Sequence, residues 1–161
     1  MKRIILALAL LLMPLALSAQ TKSFREFSGK YSGRDGYTII EMSGEMFKAI
    51  GNNVTVKSDD TDMSSLVKQI KNMVIIISDN SSPKFREDVK DMIKSGGYTS
   101  MAAISEVEQT SKFYVIQKNG KTSEFLMTVL GEGDNVIMSI TGDNLDVSQI
   151  TQFARKTSGS D

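Results

Sequence analysis

Three acids stand where a small sheet protein would keep a hydrolytic pair. Glu124 lies inside a strand-like run, and Asp134 and Asp143 sit in the two copies of Gly-Asp-Asn at Gly133–Asn135 and Gly142–Asn144. Two carboxyl groups held ~5–9 Å apart can divide general acid and general base or nucleophile duties between them on a glycosidic bond. Carboxylate chemistry is therefore one function class to weigh. The competing reading is turn chemistry, because Gly and Asn tolerate positive φ and an Asp side chain bonds its own backbone. On that reading Gly133–Asn135 reverses the chain between two strands, and Gly142–Asn144 ends a sheet ahead of a helix capped by Asp146. Sequence spacing sets no distance between the carboxylates, so no catalytic residue is assigned.

The run "SDDTDMSS" places Asp60, Asp62 and Ser64 at alternate positions, like the opening of a calcium loop. Such a loop needs Gly at its sixth position and Glu at its twelfth, where this chain has Ser65 and Lys71. Acids ahead of a helix are better explained by its positive N-terminal end and free N–H groups, so no metal ligand is assigned. The segment "GEGDN" has two glycines but no helix follows it to cradle a phosphate. No cofactor-binding residue is assigned either.

Composition removes whole chemistries. The chain has no His and no Cys. That excludes a Ser-His-Asp triad, a Cys nucleophile, the usual zinc sites, haem ligation through His or Cys, and thiol redox chemistry. Methionines are frequent, and thioethers are soft copper ligands. Met63, Met92, Met127 and Met138, however, fall on apolar stripes or inside strands, as core fillers do. Tyr98 and Tyr114 with Lys112, Lys118 and Lys121 do not make a nucleic-acid surface. Glu106, Glu108 and Glu124 interleave with those lysines, cross-strand ion pairing accounts for them, and the basic net charge such binding needs is missing.

The first residues, "MKRIILALALLLMPLALSAQ", have the three parts of a secretory signal: Lys2 and Arg3, an apolar run from Ile4 to Leu17, and small residues at Ser18 and Ala19. The apolar run is broken by Pro14 and falls short of the ~20 residues of a comfortable bilayer span. Cleavage is expected after Ala19, with cleavage after Ser18 as the alternative. Without Cys there is no acceptor for a lipid anchor, so the processed chain is expected in the periplasm or medium with no stable membrane anchor. It loses two basic residues and becomes slightly acidic. The organisation expected is a signal peptide over 1–19, one α+β domain over 20–157 and a frayed tail over 158–161.

The elements that must position these residues follow from periodicity. Phe24, Phe27 and Tyr31 lie at helical spacing, with Gly33 to stop the helix. "YTIIEM" from Tyr37 predicts a strand, and Ser43 caps a helix carrying Met46, Phe47 and Ile50. Met63, Leu66, Val67 and Ile70 predict another helix, and "MVIIIS" from Met73 a strand buried on both faces. The two strands are free to lie parallel through their helical crossover. Ser82, Pro83, Phe85, Val89, Met92, Ile93 and Gly96-Gly97 write out a complete helix. Four strands follow as an antiparallel meander, "YTSMAAISEVE", "KFYVIQ", "SEFLMTVL" and "NVIMSIT", with Asn119-Gly120 as a type I′ hairpin. A last helix starts at Asp146, with Gln149 completing a variant capping box. The fold expected is α+β and two-layer, helices packed mainly on one face of a mostly antiparallel sheet with a C-terminal four-strand meander and a terminal helix.

Read together, "FREFSGKYSGRDGYTIIEMSGEMF", "GGY" at Gly96–Tyr98, "KNGKTSEFLMTV" and "VIMSITGDNLDVSQI" resemble domain-of-unknown-function family 4252, small exported proteins of the Bacteroidota, over about Ser23 to Lys156. The resemblance implies an exported envelope component with no assigned reaction, and genes near those of sigma-factor regulation suggest an envelope-stress role. It supplies no catalytic residue. The function expected is therefore non-catalytic binding of a protein partner or small ligand through a sheet face or the loops at one end. The alternative is a carboxylate-dependent hydrolase of an envelope polymer or glycan. A third reading makes the Phe24/Phe27/Tyr31 helix a peripheral membrane contact.

Overall fold

A computed structural model describes residues 20–53, 63–79 and 82–150. The leader over 1–19, the acids Asp60 and Asp62, and the tail with Phe153 and Ala154 lie outside the described residues. Two glycines and two hydroxyl caps set the best-defined local geometry. Ser82 Oγ accepts from the Phe85 N–H, Pro83 opens α4 (Pro83–Gly96), and Gly97 closes it at φ 70°. Thr21 Oγ1 accepts from the Phe24 N–H to cap α1 (Lys22–Tyr31). Asn119 and Gly120 take φ 53° and 75°, the paired positive φ of a type I′ turn. That turn joins β4 (Gln109–Lys118) to β5 (Lys121–Gly131).

The remaining elements are β1 (Tyr37–Ser43), α2 (Gly44–Asn53), α3 (Met63–Gln69), β2 (Ile70–Ser78), β3 (Thr99–Ser105) and β6 (Asn135–Gly142). A last helix, α5, is described over 147–150. The strands form one six-stranded sheet in the order β1-β2-β6-β5-β4-β3. Every neighbouring pair is antiparallel. The fold is therefore the expected α+β class with its C-terminal meander. The parallel arrangement left open for β1 and β2 is not found: they pair from Tyr37↔Ser78 to Ser43↔Asn72. The crossover between them returns the chain beside its own strand. Ile70, which continues the apolar stripe of α3, has left the helix and pairs with Gly142 as the first residue of β2.

Alternate residues of the strands feed two cores. Val74, Ile76, Leu126 and Ile137 meet Phe24, Phe27 and Tyr31 of α1 and Phe85, Val89 and Met92 of α4. On the other side of the sheet Met73, Phe113, Val115, Phe125 and Ile140 meet Leu145 and Ile150, with Phe47 of α2 alongside. The aromatic rings of Phe27, Tyr31, Tyr37 and Phe85 lie 4.6–5.5 Å apart in tilted and edge-on contacts. Burying a side chain of this kind is worth about 1.5–3 kcal/mol, so α1 and α4 hold each other and the sheet. The helix carrying Phe24, Phe27 and Tyr31 thus spends its apolar stripe on the core, which leaves that stripe nothing to offer a membrane. Among the described residues no helix is long and apolar enough to cross a bilayer.

Candidate functional site

The strands set Glu124 and Asp134 apart, while Asp143 lies two residues past Thr141, the cross-strand partner of Glu124. Glu124 is near the start of β5, and Asp134 lies past its far end in the turn to β6. At ~3.4 Å per residue the strand alone separates them by roughly 24 Å, well outside the range of a hydrolytic pair. Asp143 is exposed and pairs with Lys71. Glu124 is 1 % exposed.

The two Gly-Asp-Asn turns differ in construction. In the first, Asn135 is fully buried; its Oδ1 accepts from the Gly131 N–H at 3.0 Å and its Nδ2 donates to the Gly133 carbonyl at 3.2 Å. Neither Gly133 nor Asn135 takes positive φ, so a side-chain amide, rather than φ freedom, holds this reversal. In the second, Gly142 is buried where a Cβ would strike the Gln69 carbonyl oxygen and the Leu145 side chain, while Asn144 is exposed. Asp146 does cap α5, accepting from the N–H groups of Ser148 and Gln149. The reciprocal half of the capping box is absent. The Asp146 N–H donates to Gln69 Oε1, and Gln149 Oε1 accepts from Ser65.

The chemistry concentrates instead around Glu124. Pairing of Glu124 with Thr141 and of Leu126 with Ser139 puts these residues on one sheet face, towards α1 and α4. Glu124 Oε1 accepts from the Tyr98 hydroxyl at 2.6 Å and the Ser139 hydroxyl at 2.8 Å, and Oε2 accepts from the Thr21 N–H at 3.0 Å. The Tyr98 and Thr21 hydroxyls lie 3.0 Å apart. Beyond Thr141, Asn72 donates to Gln20 Oε1 at 3.3 Å, and Gln20 is 6 % exposed. Burial pushes the Glu124 carboxyl up, against the pull of its three donors and of Lys118 at longer range. Burial and the neighbouring Glu124 charge push the Tyr98 phenol up. Among the described residues Glu124 has no salt-bridge partner, so neutral donors alone satisfy it. This group reads as a structural polar network that ties the chain before α1 to the middle of the sheet.

A second charged group fastens α1 to α4. Asp88 takes the Tyr31 hydroxyl at 2.6 Å, Lys84 at 2.9 Å and Lys30. Burial raises its carboxyl, but those three donors outweigh that and hold it well below the ordinary range. The cross-strand ion pairs expected in the meander are absent among the described residues. Lys112 faces Thr128 and Ala103, and Lys118 faces Lys121. Tyr98 and Tyr114 pack against the first core. Met92 fills that core, while Met127 and Met138 are cross-strand neighbours beside the second. The side chain of Met63 lies outside the described residues.

A depression of about 570 Å³ opens at the end of the sheet opposite Glu124, lined by Glu106, Val107, Glu108, Gln109, Gly131, Gly133 and Asp134. Gly131 lets the β3–β4 turn sit on β5, where the Glu132 N–H donates to the Glu108 carbonyl. Among the described residues no cluster of acids could hold a metal ion. Beside this depression β3 is exposed along its whole length and forms one border of the sheet.

The architecture is that of an α+β domain whose open antiparallel sheet carries a buried carboxylate network and one exposed border strand. The family described as Domain of unknown function (DUF4252) matches residues 31–153, and the chain belongs to that family. No curated protein matches the chain. No solved structure matches it.

Sequence reasoning missed the Glu124 network. One signal was present: in "SEFLMTVL" both alternate sets are apolar, so the strand is covered on both faces and its acid has to be buried. The partners Thr21, Tyr98 and Ser139 come from three distant segments, and no local pattern links them.

Proposed function

We propose that this chain is an exported, non-catalytic domain of the cell envelope that binds a protein partner, with β3 as the docking strand. The observation that carries the proposal is β3 itself. Its seven residues, "TSMAAIS", contain no charge and no Pro, are exposed on both faces, and leave one row of backbone N–H and C=O groups open at the sheet border. Met101 and Ile104 add exposed apolar side chains. Natural border strands are usually guarded by charge, Pro or a bulge. Here the guard is a register shift between Ser100 and Ala102, which leaves Ala102–Ser105 regularly paired and able to receive an extended segment of a partner. Export is supported by the leader composition, and a link to envelope stress or sigma-factor regulation by the resemblance described above. The non-catalytic reading rests on the separation of Glu124 from Asp134 and the pairing of Asp143 with Lys71.

A photocrosslinking residue placed at Ser105 in living cells should trap one discrete protein, and Ile104→Lys should abolish that adduct while leaving the circular dichroism and Tm of the domain unchanged. An adduct formed from Met46 on α2 but not from Ser105 would move the binding surface elsewhere and defeat the proposal.

A further inference from the structure

Export, on which this inference rests, makes Gln20 the first residue of the processed chain, and we infer that Gln20 is then a modification site that closes to a pyroglutamyl lactam. The step is an intramolecular aminolysis. The lone pair of the neutral α-amine attacks Cδ, the N–Cδ bond forms, the Cδ–Nε2 bond breaks, and the departing nitrogen leaves as ammonia with a proton from the amine. Oε1 becomes the carbonyl oxygen of a five-membered ring. No oxidant or co-reactant is needed.

The fold supplies a place for that product. Residue 20 is not part of a loose tail: it is 6 % exposed, and the next residue is held twice, by its N–H on Glu124 Oε2 at 3.0 Å and by its hydroxyl as the cap of α1. A free ammonium group at position 20 would have to give up much of its water, and burying an ion is costly. The lactam carries no charge. It also keeps the carbonyl side of the side chain's contacts, because the atom that accepts from Asn72 Nδ2 at 3.3 Å is Oε1, which survives ring closure. Glu124 already has three neutral donors and does not require a cation to be satisfied.

The test is intact-mass and N-terminal peptide mass spectrometry, with Edman degradation, on the full-length chain expressed with its leader in an exporting bacterial host. The expected result is a chain that begins at residue 20, is lighter than the free-amine form by one ammonia molecule, and is blocked to Edman chemistry. Gln20→Asn keeps an amide but would need a four-membered ring, so it should be cleaved at the same bond, retain full mass and be readable. A wild-type chain beginning at Gln20 with full mass, or beginning at Ala19, overturns the lactam and leaves export standing. A chain that still begins at Met1 overturns both.

Discussion

Replacing Tyr98 by Phe isolates the contribution of the buried carboxylate network. The phenol donates to Glu124 Oε1 at 2.6 Å, and without it a buried charged acceptor has one donor fewer. Hydrogen bonds to charged groups contribute about 1.5–3 kcal/mol net, so Y98F is expected to lose about 2 kcal/mol near neutral pH. For a chain of this size that lowers Tm by roughly 4–8 °C. The pH dependence is the sharper readout. Burial holds the Glu124 carboxyl above its ordinary value of 4.5. The folded state then binds more protons than the unfolded state, so the contribution of this group to stability is full below that pH and declines as pH rises through the folded value. Tyr98 favours the ionised form, so its loss must make that decline steeper. E124Q must flatten the decline, at a fixed cost, because its amide nitrogen would face either the Thr21 N–H or the two hydroxyl donors. Melts of wild type, Y98F, E124Q and the double variant between about pH 4 and 8 separate this group from the others, whose titration cancels in the differences. The reasoning fails if Y98F stays within ~0.5 kcal/mol of wild type throughout, or if wild type and E124Q share one pH slope.

Other substitutions test other joints of the structure. Gly142→Ala drives a Cβ into the Gln69 carbonyl and Leu145 and should cost about 1–3 kcal/mol, whereas Gly133→Ala, with nothing near the added carbon, should stay within ~0.5 kcal/mol in denaturant melts. Asn135→Ala removes both bonds that hold the β5–β6 turn and should cost about 1–3 kcal/mol by the same measurement. Asp88→Asn weakens the α1–α4 fastening and should cost about 1–2 kcal/mol near neutral pH. Because the Asp88 carboxyl is depressed from its ordinary 3.8, its contribution is present above that pH and lost as pH falls through the folded value, so the penalty of D88N must shrink in acid titrations.

What was legible in the sequence is what local chemistry decides. Ser82, Pro83 and Gly97 mark α4 because capping, fixed φ and the left-handed end act within one or two turns. Asn119-Gly120 marks its hairpin for the same reason. Ile70 was misplaced because an apolar stripe continues smoothly from helix into strand, and pairing with Gly142, far along the chain, decides where the helix stops. The antiparallel pairing of β1 with β2, and the placing of β6 between β2 and β5, are likewise contacts between distant segments. The candidate acids were visible as residue types, but their separation depends on strand direction, which becomes fixed only with the sheet.

The family match begins at Tyr31, yet the segment before it is built into the core. Phe24 and Phe27 are buried there, and Thr21 supplies one of the three donors to Glu124. Removing α1 would uncover the first core and leave the Glu124 carboxylate with Tyr98 and Ser139 alone. Glu124 favours water whenever α1 is undocked, and the apolar stripe of α1 favours the sheet whenever Glu124 is satisfied. Docking of α1 and burial of Glu124 therefore support each other, on an inward strand face that Glu124 shares with buried Leu126 and Thr128.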